Sequence, residues 1–266
     1  YRVGCAMILL SYYTMSQNDI MRGLQYLALA RSIAEDGLKA HQTDLHQNVL
    51  LAYAYIADSY EKRIESFKQI GSNDVLSDQV YGLVGQVEVE LQYNPSPNFT
   101  LLIDRLMQAH NLQKSHPDLP PEKTLLLKVL TFGGLTKTLM RAKLPDMALH
   151  YAQELLKLTE ESSFKFCCVA VSTSALDSAA NVFLEQRATD DFMKLFPVVH
   201  RLSQSYKMVG AIALKLSKRF KEMYPDIAHD FLLNYDLGVK IEEVVSDSPP
   251  VPELRRQSND SSGSSL

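Results

Sequence analysis

Residues 3–15, VGCAMILLSYYTM, are apolar nearly all the way round a helical wheel. A helix of that kind needs neighbours on several sides, in a surrounding layer of helices or in a membrane. Spanning a bilayer takes roughly 20 apolar residues, so the run is assigned to a helical interior. Leu9, at its middle, is expected to be buried. Ser16-Gln17-Asn18-Asp19 breaks the run, and helical spacing resumes over Ile20 to Leu38, with Ile20, Leu24, Leu27, Ala28 and Ala34 on one stripe. The chain therefore opens with a helical hairpin.

Helical periodicity continues, and strand-like alternation is scarce. A third helix is expected from about Leu45 to Gln69, followed by a loop at Gly71-Ser72-Asn73-Asp74. Residues 75–93 form another, although Val87 and Val89 lean towards strand. Asn94-Pro95-Ser96-Pro97-Asn98 separates it from a helix over Phe99 to Lys114, with Leu102, Leu106 and Ala109 on one face. The prolines at His116-Pro117-Asp118-Leu119-Pro120-Pro121 make a firm break.

Residues 122–158 read as a second hairpin, with Pro145 and Asp146 opening its second helix. A third runs from about Ser163 to Tyr206 and turns near Arg187-Ala188-Thr189-Asp190, where Thr189 or Asp190 is the expected cap. Lys207 to Met223 gives a further helix, stopped by Pro225, and residues 226–237 a short last one. From Gly238 the chain is rich in Ser and Pro. Such a segment buries too little apolar surface to offset its ordering entropy. The expected fold is all-α: an irregular stack of antiparallel helical hairpins over residues 1–237, forming one regulatory or interaction domain, and a disordered tail over residues 238–266.

Of the 266 residues 46% are hydrophobic and 22% charged, the profile of a globular protein with a sizeable core. The net charge of −4 argues against direct DNA binding by this segment, because duplex binding needs a surplus of Lys and Arg facing phosphates. Cys5, Cys167 and Cys168 are an odd set with two adjacent members. They suit buried thiols in a reducing compartment better than a disulfide framework. The chain starts at Tyr1 and not Met, so missing targeting signals carry no weight. Asn98-Phe99-Thr100 and Asn259-Asp260-Ser261 match the glycosylation triplet, a pattern common by chance.

No catalytic constellation emerges. The histidines His41, His46, His110, His116, His150, His200 and His229 form no zinc pair, and no nucleophile elbow, P-loop or dinucleotide fingerprint is present. The expectation is a chain that is not an enzyme, with no metal site. Gly133-Gly134, inside a helical pattern, reads first as close helix packing or a kink and second as the backbone wall of a ligand pocket. Lys215, Lys218, Arg219 and Lys221 form a small basic patch, by default solvated. Arg255-Arg256-Gln257-Ser258 resembles a basophilic kinase site, which makes Ser258 a candidate phosphorylation site.

Two hairpins share a local pattern. Gly23-Leu24-Gln25-Tyr26 and Ala148-Leu149-His150-Tyr151 both place a small residue three positions before Tyr in the second helix. Tight helix pairs of the tetratricopeptide type use such a small residue for close approach, with Tyr filling the groove beside it. A fixed period of about 34 residues is absent.

The stretch Ala6-Met7-Ile8-Leu9-Leu10-Ser11-Tyr12-Tyr13, then Asn18-Asp19, then Tyr26 to Leu38 (YLALARSIAEDGL), resembles the middle regulatory region of fungal binuclear zinc-cluster transcription factors. In that family an "ALLLLSYY"-like buried helix precedes a "WxYLGxAxRxAxxLGL"-like helix. Tyr55, Ile56 and Asp58 fall at the end of a later "RRxWWxxYxxD"-like pattern, whose paired Arg and Trp positions hold Asn48-Val49 and Leu51-Ala52 here. The resemblance implies a nuclear regulatory domain that responds to protein co-regulators or a small-molecule effector. It also implies a zinc-binding DNA-recognition head upstream of Tyr1, and no cofactor in this segment. The alternative is a tetratricopeptide-like scaffold without a transcriptional role, nuclear or cytoplasmic.

Overall fold

The computed structural model describes residues 2–17, 19–39, 60–116, 118–162, 164 and 169–235. The described residues form eleven α-helices and no strand. The helices are α1 (Arg2–Ser16), α2 (Ile20–Lys39), α3 (Tyr60–Gly71), α4 (Leu76–Tyr93), α5 (Phe99–Lys114), α6 (Pro121–Arg141), α7 (Pro145–Thr159), α8 (Val169–Glu185), α9 (Thr189–Ser203), α10 (Lys207–Met223) and α11 (Pro225–Leu232). The all-α expectation holds. The first part of the third expected helix, the residues Tyr55, Ile56 and Asp58, and the tail over 238–266 lie outside the described residues.

Boundaries fall where breaker chemistry is clearest. Asn98 caps α5, its Oδ1 accepting from the Leu101 amide at 3.2 Å. Pro121, Pro145 and Pro225 sit in the first turns of α6, α7 and α11, where a missing amide costs nothing. The expected cap at Thr189 or Asp190 is corrected. Ala188 occupies the cap position, and no side chain bonds there. The turn is governed instead by the end of α8. Arg187 adopts a left-handed backbone (φ 59°), its amide bonds to the Leu184 carbonyl at 3.3 Å, and the Ala188 amide reaches Phe183 at 2.8 Å. Lys143 (φ 60°) closes α6 in the same way, with the Leu144 amide on the Leu139 carbonyl at 2.9 Å. Both are Schellman closures built without glycine.

Most helices pack chiefly on a neighbour in sequence: α1 on α2, α3 on α4, then α4 through α11 in series; α8 instead packs most extensively on α6 and also touches α10. The largest core cluster joins α4 to α11 and includes Leu106, Leu127, Leu135, Leu155, Phe183, Phe192, Leu195 and Phe220. Two small clusters lie apart from it. Ile8, Leu27, Ala30 and Ala34 hold α1 to α2, and Phe67, Ile70 and Val89 hold α3 to α4.

α6 is the enclosed helix. Between Leu125 and Leu139 nearly every residue is buried, including Thr131, Thr136 and Thr138, and the helix touches α4, α5, α7 and α8. Gly133 and Gly134 permit this. A Cβ on Gly133 would stand 2.6 Å from Cβ of Ala175 in α8, and one on Gly134 would stand 2.9 Å from Leu106 Cδ2 in α5. The glycine pair is thus a close-packing device.

α1 is not enclosed, which corrects the expectation for its burial. Leu9 is 69% exposed, and Val3, Leu10 and Tyr13 also face solvent. The cause is the number of neighbours. Among the described residues α2 covers one side of α1, and only a marginal contact with α8 is added. The stripe assigned to α2 is corrected too. Leu27 and Ala34 are buried as expected, but they share their face with Gly23 and Ala30, whereas Ile20, Leu24 and Ala28 are exposed. A carboxylate at Leu9 would therefore meet water and not an apolar interior.

The α3–α4 crossing rests on a glycine contact. A Cβ on Gly82 would collide with the Gly71 backbone, which cannot swing aside as a side chain can. Gly82→Ala is expected to lower stability by about 1–2 kcal/mol through overpacking. Gly210, in α10, has nothing within 4 Å of the position a Cβ would take. Gly210→Ala is expected to raise stability by about 0.5–1 kcal/mol through helix propensity. Thermal melts of both variants, followed by circular dichroism, check the pair of opposite shifts.

Candidate interaction surfaces

Three surfaces stand out. The first is the outer face of α5, where Asp104, Met107, Gln108, Asn111, Leu112 and Ser115 recur at helical spacing along a shallow groove of about 520 Å³. Amides, a carboxylate and a hydroxyl alternate there with a thioether and an aliphatic chain. One of its residues, Met107, is held from α7. The Tyr151 hydroxyl donates to Met107 Sδ at 3.4 Å, and the Phe132 ring lies 5.7 Å from Tyr151 and 5.4 Å from His110.

Beneath that face α5 carries polar side chains into the core. Gln113 is buried, and its amide donates to Thr131 Oγ1 at 2.7 Å. Its Oε1, His110 Nδ1 and Thr136 Oγ1 are buried without a hydrogen-bond partner among the described residues. Burial lowers the His110 pKa below its ordinary 6.5, and the nearby Lys114 and Lys128 push it the same way.

The second surface is the basic patch of α10, and α8 neutralises half of it. Lys215 Nζ lies 3.3 Å from Asp177 Oδ2, and Arg219 Nη2 lies 2.8 Å from Glu185 Oε1 while its Nη1 donates to Asn181. Lys218 and Lys221 remain exposed. The patch is mainly a stitch between two helices, in keeping with the modest worth of exposed ion pairs.

The third surface is the apolar exterior of the α1–α2 hairpin, which sequence reasoning missed because it placed α1 inside. The signal was available: a hairpin gives each helix one partner, so a helix apolar on all sides must show one face to something else.

A polar cluster also ties α3 to α4. Arg63, 8% exposed, donates to Gln92 Oε1 at 2.7 Å and lies over the Tyr93 ring. The Tyr60 hydroxyl donates to Glu90 Oε1 at 2.7 Å, and that bond, followed by burial, raises the Tyr60 pKa above 10.0. These groups satisfy one another.

Of the residues singled out in the sequence, Cys5 is half-buried against the α1–α2 cluster. Cys167, Cys168, His41, His46 and Ser258 lie outside the described residues. No described cluster of His, Cys, Asp or Glu is placed to hold a metal, and no described helix is long and apolar enough to cross a membrane. No family model, curated protein or solved structure matches the chain.

The lowered pKa of His110 has a consequence for stability. The folded chain binds fewer protons than the unfolded chain below about pH 6.5, because the unfolded imidazole titrates at its ordinary value. Stability is therefore complete above that pH and falls as the pH drops through it. Removing the imidazole with His110→Phe is expected to flatten the decline between about pH 6.5 and pH 5. Melting temperatures of both proteins across that range check it. Parallel curves would show that His110 contributes nothing.

Proposed function

We propose that the chain is a non-enzymatic interaction domain, a stack of helical hairpins that works in transcriptional regulation by engaging protein co-regulators. The interaction part is supported by the serial packing of the helices, which leaves long outer faces such as that of α5 open to solvent. The transcriptional part is supported by α1 and α2. The residues that resemble the regulatory region of fungal zinc-cluster factors, Ala6–Tyr13 and Tyr26–Leu38, lie in an antiparallel helix pair, as that resemblance implies. In this reading DNA is bound elsewhere in the functional assembly, zinc belongs to that DNA-binding part, and the protein works in the nucleus. The net charge of −4 fits a segment that leaves DNA to others.

A second reading, a tetratricopeptide-like scaffold without a transcriptional role, is favoured by the two small-residue positions. A Cβ on Gly23 would meet Met15 Cγ at 2.5 Å, and Ala148 is wholly buried one turn before Tyr151. In the first hairpin the small residue admits a close approach, and in the second it is wholly buried.

Tethering the chain to an unrelated DNA-binding module upstream of a reporter gene separates the two. The transcriptional reading expects reporter output to change several-fold in either direction relative to the module alone. Unchanged output, with the fusion expressed in the nucleus and bound at its site, contradicts that reading and leaves the scaffold.

A further inference from the structure

We propose that the flank of α10 turned away from α8 is a docking strip for an acidic segment of this chain's own tail, residues 241–247. The inference does not depend on the transcriptional reading. α10 carries Lys207, Lys215, Lys218, Arg219 and Lys221 against a single carboxylate, Glu222. α8 takes up the charge of Lys215 and Arg219 through Asp177 and Glu185. Lys207, Ala211, Leu214, Lys218 and Lys221 follow at spacings of four, three, four and three residues, which puts them on one line along the helix. All but the half-buried Leu214 are exposed, and the three lysines have no carboxylate partner among the described residues. Beside the line, nothing lies within 4 Å of the position a Cβ on Gly210 would take, which leaves room for a chain there.

Charge and tether together select the tail as occupant. Residues 241–247, IEEVVSD, hold the carboxylates of Glu242, Glu243 and Asp247 and no cation, with Ile241, Val244 and Val245 among them. Against them α10 sets three ammonium groups around Ala211 and Leu214, so charged and apolar side chains both find counterparts. The described chain ends at Tyr235, whose ring lies 5.0 Å from His200 in the last turn of α9 and 5.1 Å from Phe231 of α11. The chain therefore leaves the body near the turn that leads into α10 at Lys207. Residues 236–240 then bridge at most about 18 Å before the acidic run begins. That run, fully extended, covers about 23 Å, and Lys207 to Lys221 spans about 21 Å of helix. The segment matches the strip in length as well as in charge.

Exposed ion pairs are individually worth little, so a free acidic peptide holds such a strip weakly. A tether of a few residues raises the local concentration of the segment to roughly the millimolar range. Weak pairs then suffice to hold it, and it outcompetes an untethered peptide of the same charge. The contact is reversible and sensitive to salt, because the screening length shortens to about 3 Å at 1 M. A partner with a denser acidic run displaces the tail, which makes the strip a self-occupied site.

A carbodiimide joins a carboxylate directly to an amine in contact with it, and mass spectrometry then maps the joined peptides of the whole chain. At low salt, Glu242, Glu243 and Asp247 are expected to couple to Lys207, Lys218 and Lys221 at least about fivefold more than to Lys123 and Lys157, exposed lysines of α6 and α7. Salt at about 1 M should abolish the preference. Glu242→Lys with Glu243→Lys should also remove the coupling of Asp247 to the strip. That variant leaves α10 untouched, so the loss is not a folding defect of the helix. Adding Lys218→Glu and Lys221→Glu should restore coupling between the two sites with the charges exchanged, at unchanged helicity by circular dichroism. Mixing isotope-labelled with unlabelled chains separates coupling within a chain from coupling between chains. Coupling spread evenly over the exposed lysines overturns the proposal. So does coupling of Asp247 that survives the charge reversal at its wild-type level, or coupling found only between labelled and unlabelled chains.

Discussion

The close approach of α8 and α5 to Gly133 and Gly134 governs how the other helices can pack. A helix can be enclosed on four sides only if some neighbours come closer than ordinary side chains allow. The two glycines supply that on adjacent faces, one against Ala175 and the other against Leu106. With α6 enclosed, α4 and α7 close on its other flanks, and α9, α10 and α11 extend the stack through Phe192, Phe196, Phe220 and Phe231, whose rings lie 4.6 to 5.8 Å apart. Interdigitated aromatic rings of this kind add packing energy beyond their buried area.

Enclosing α6 also buries three threonines, and each hydroxyl bears on the desolvation cost. Thr138 donates to the Gly134 carbonyl one turn back at 2.7 Å, and Thr131 accepts from Gln113. Lys137 and Arg141, at the rim of the same helix, reach Glu88 and the Leu91 carbonyl of α4. The interior helix is therefore tied by polar bonds at its margins and by apolar contact along its length. The α3–α4 crossing repeats the scheme on a smaller scale, with glycine contacts inside and the Arg63, Tyr60 and Glu90 cluster at the edge.

Helix existence and ends were legible where Asn98, Pro145 and Pro225 mark them, but not at α9, whose expected cap is absent and which runs through Pro197. α5 and α10 fall on Phe99–Lys114 and Lys207–Met223, the spans expected from Asn98 and Pro225. Burial was legible for α5, where Leu102, Leu106 and Ala109 face the core. It was misjudged for α1 and underrated for α6, and the reason is physical. Hydropathy measures how much a helix gains from burial, not how many neighbours the topology supplies. α1 has the apolar side chains but one main partner. α6 carries Thr and Gly, which lower its apparent apolarity, yet those small residues are what admit four partners. The turns after α6 and α8 were legible, at Pro145 and near Arg187, but their left-handed closures were not, because Lys143 and Arg187, and not glycine, take that backbone. The exposed outer face of α1 follows from its place in a hairpin, whereas the burial of α6 follows from counting neighbours, which requires the topology. The outer face of α5 gave no signal, because polar residues along an exposed helix look alike whether or not they line a groove.

α6, and not the more hydrophobic α1, is the enclosed helix of this chain. Native-state hydrogen exchange followed amide by amide is the decisive check, since amides that open only on global unfolding mark the best-buried element. The slowest exchange is expected over residues 127–139 of α6, with α1 exchanging faster in dilute solution. Protection in α1 equal to or greater than that in α6 would contradict this assignment.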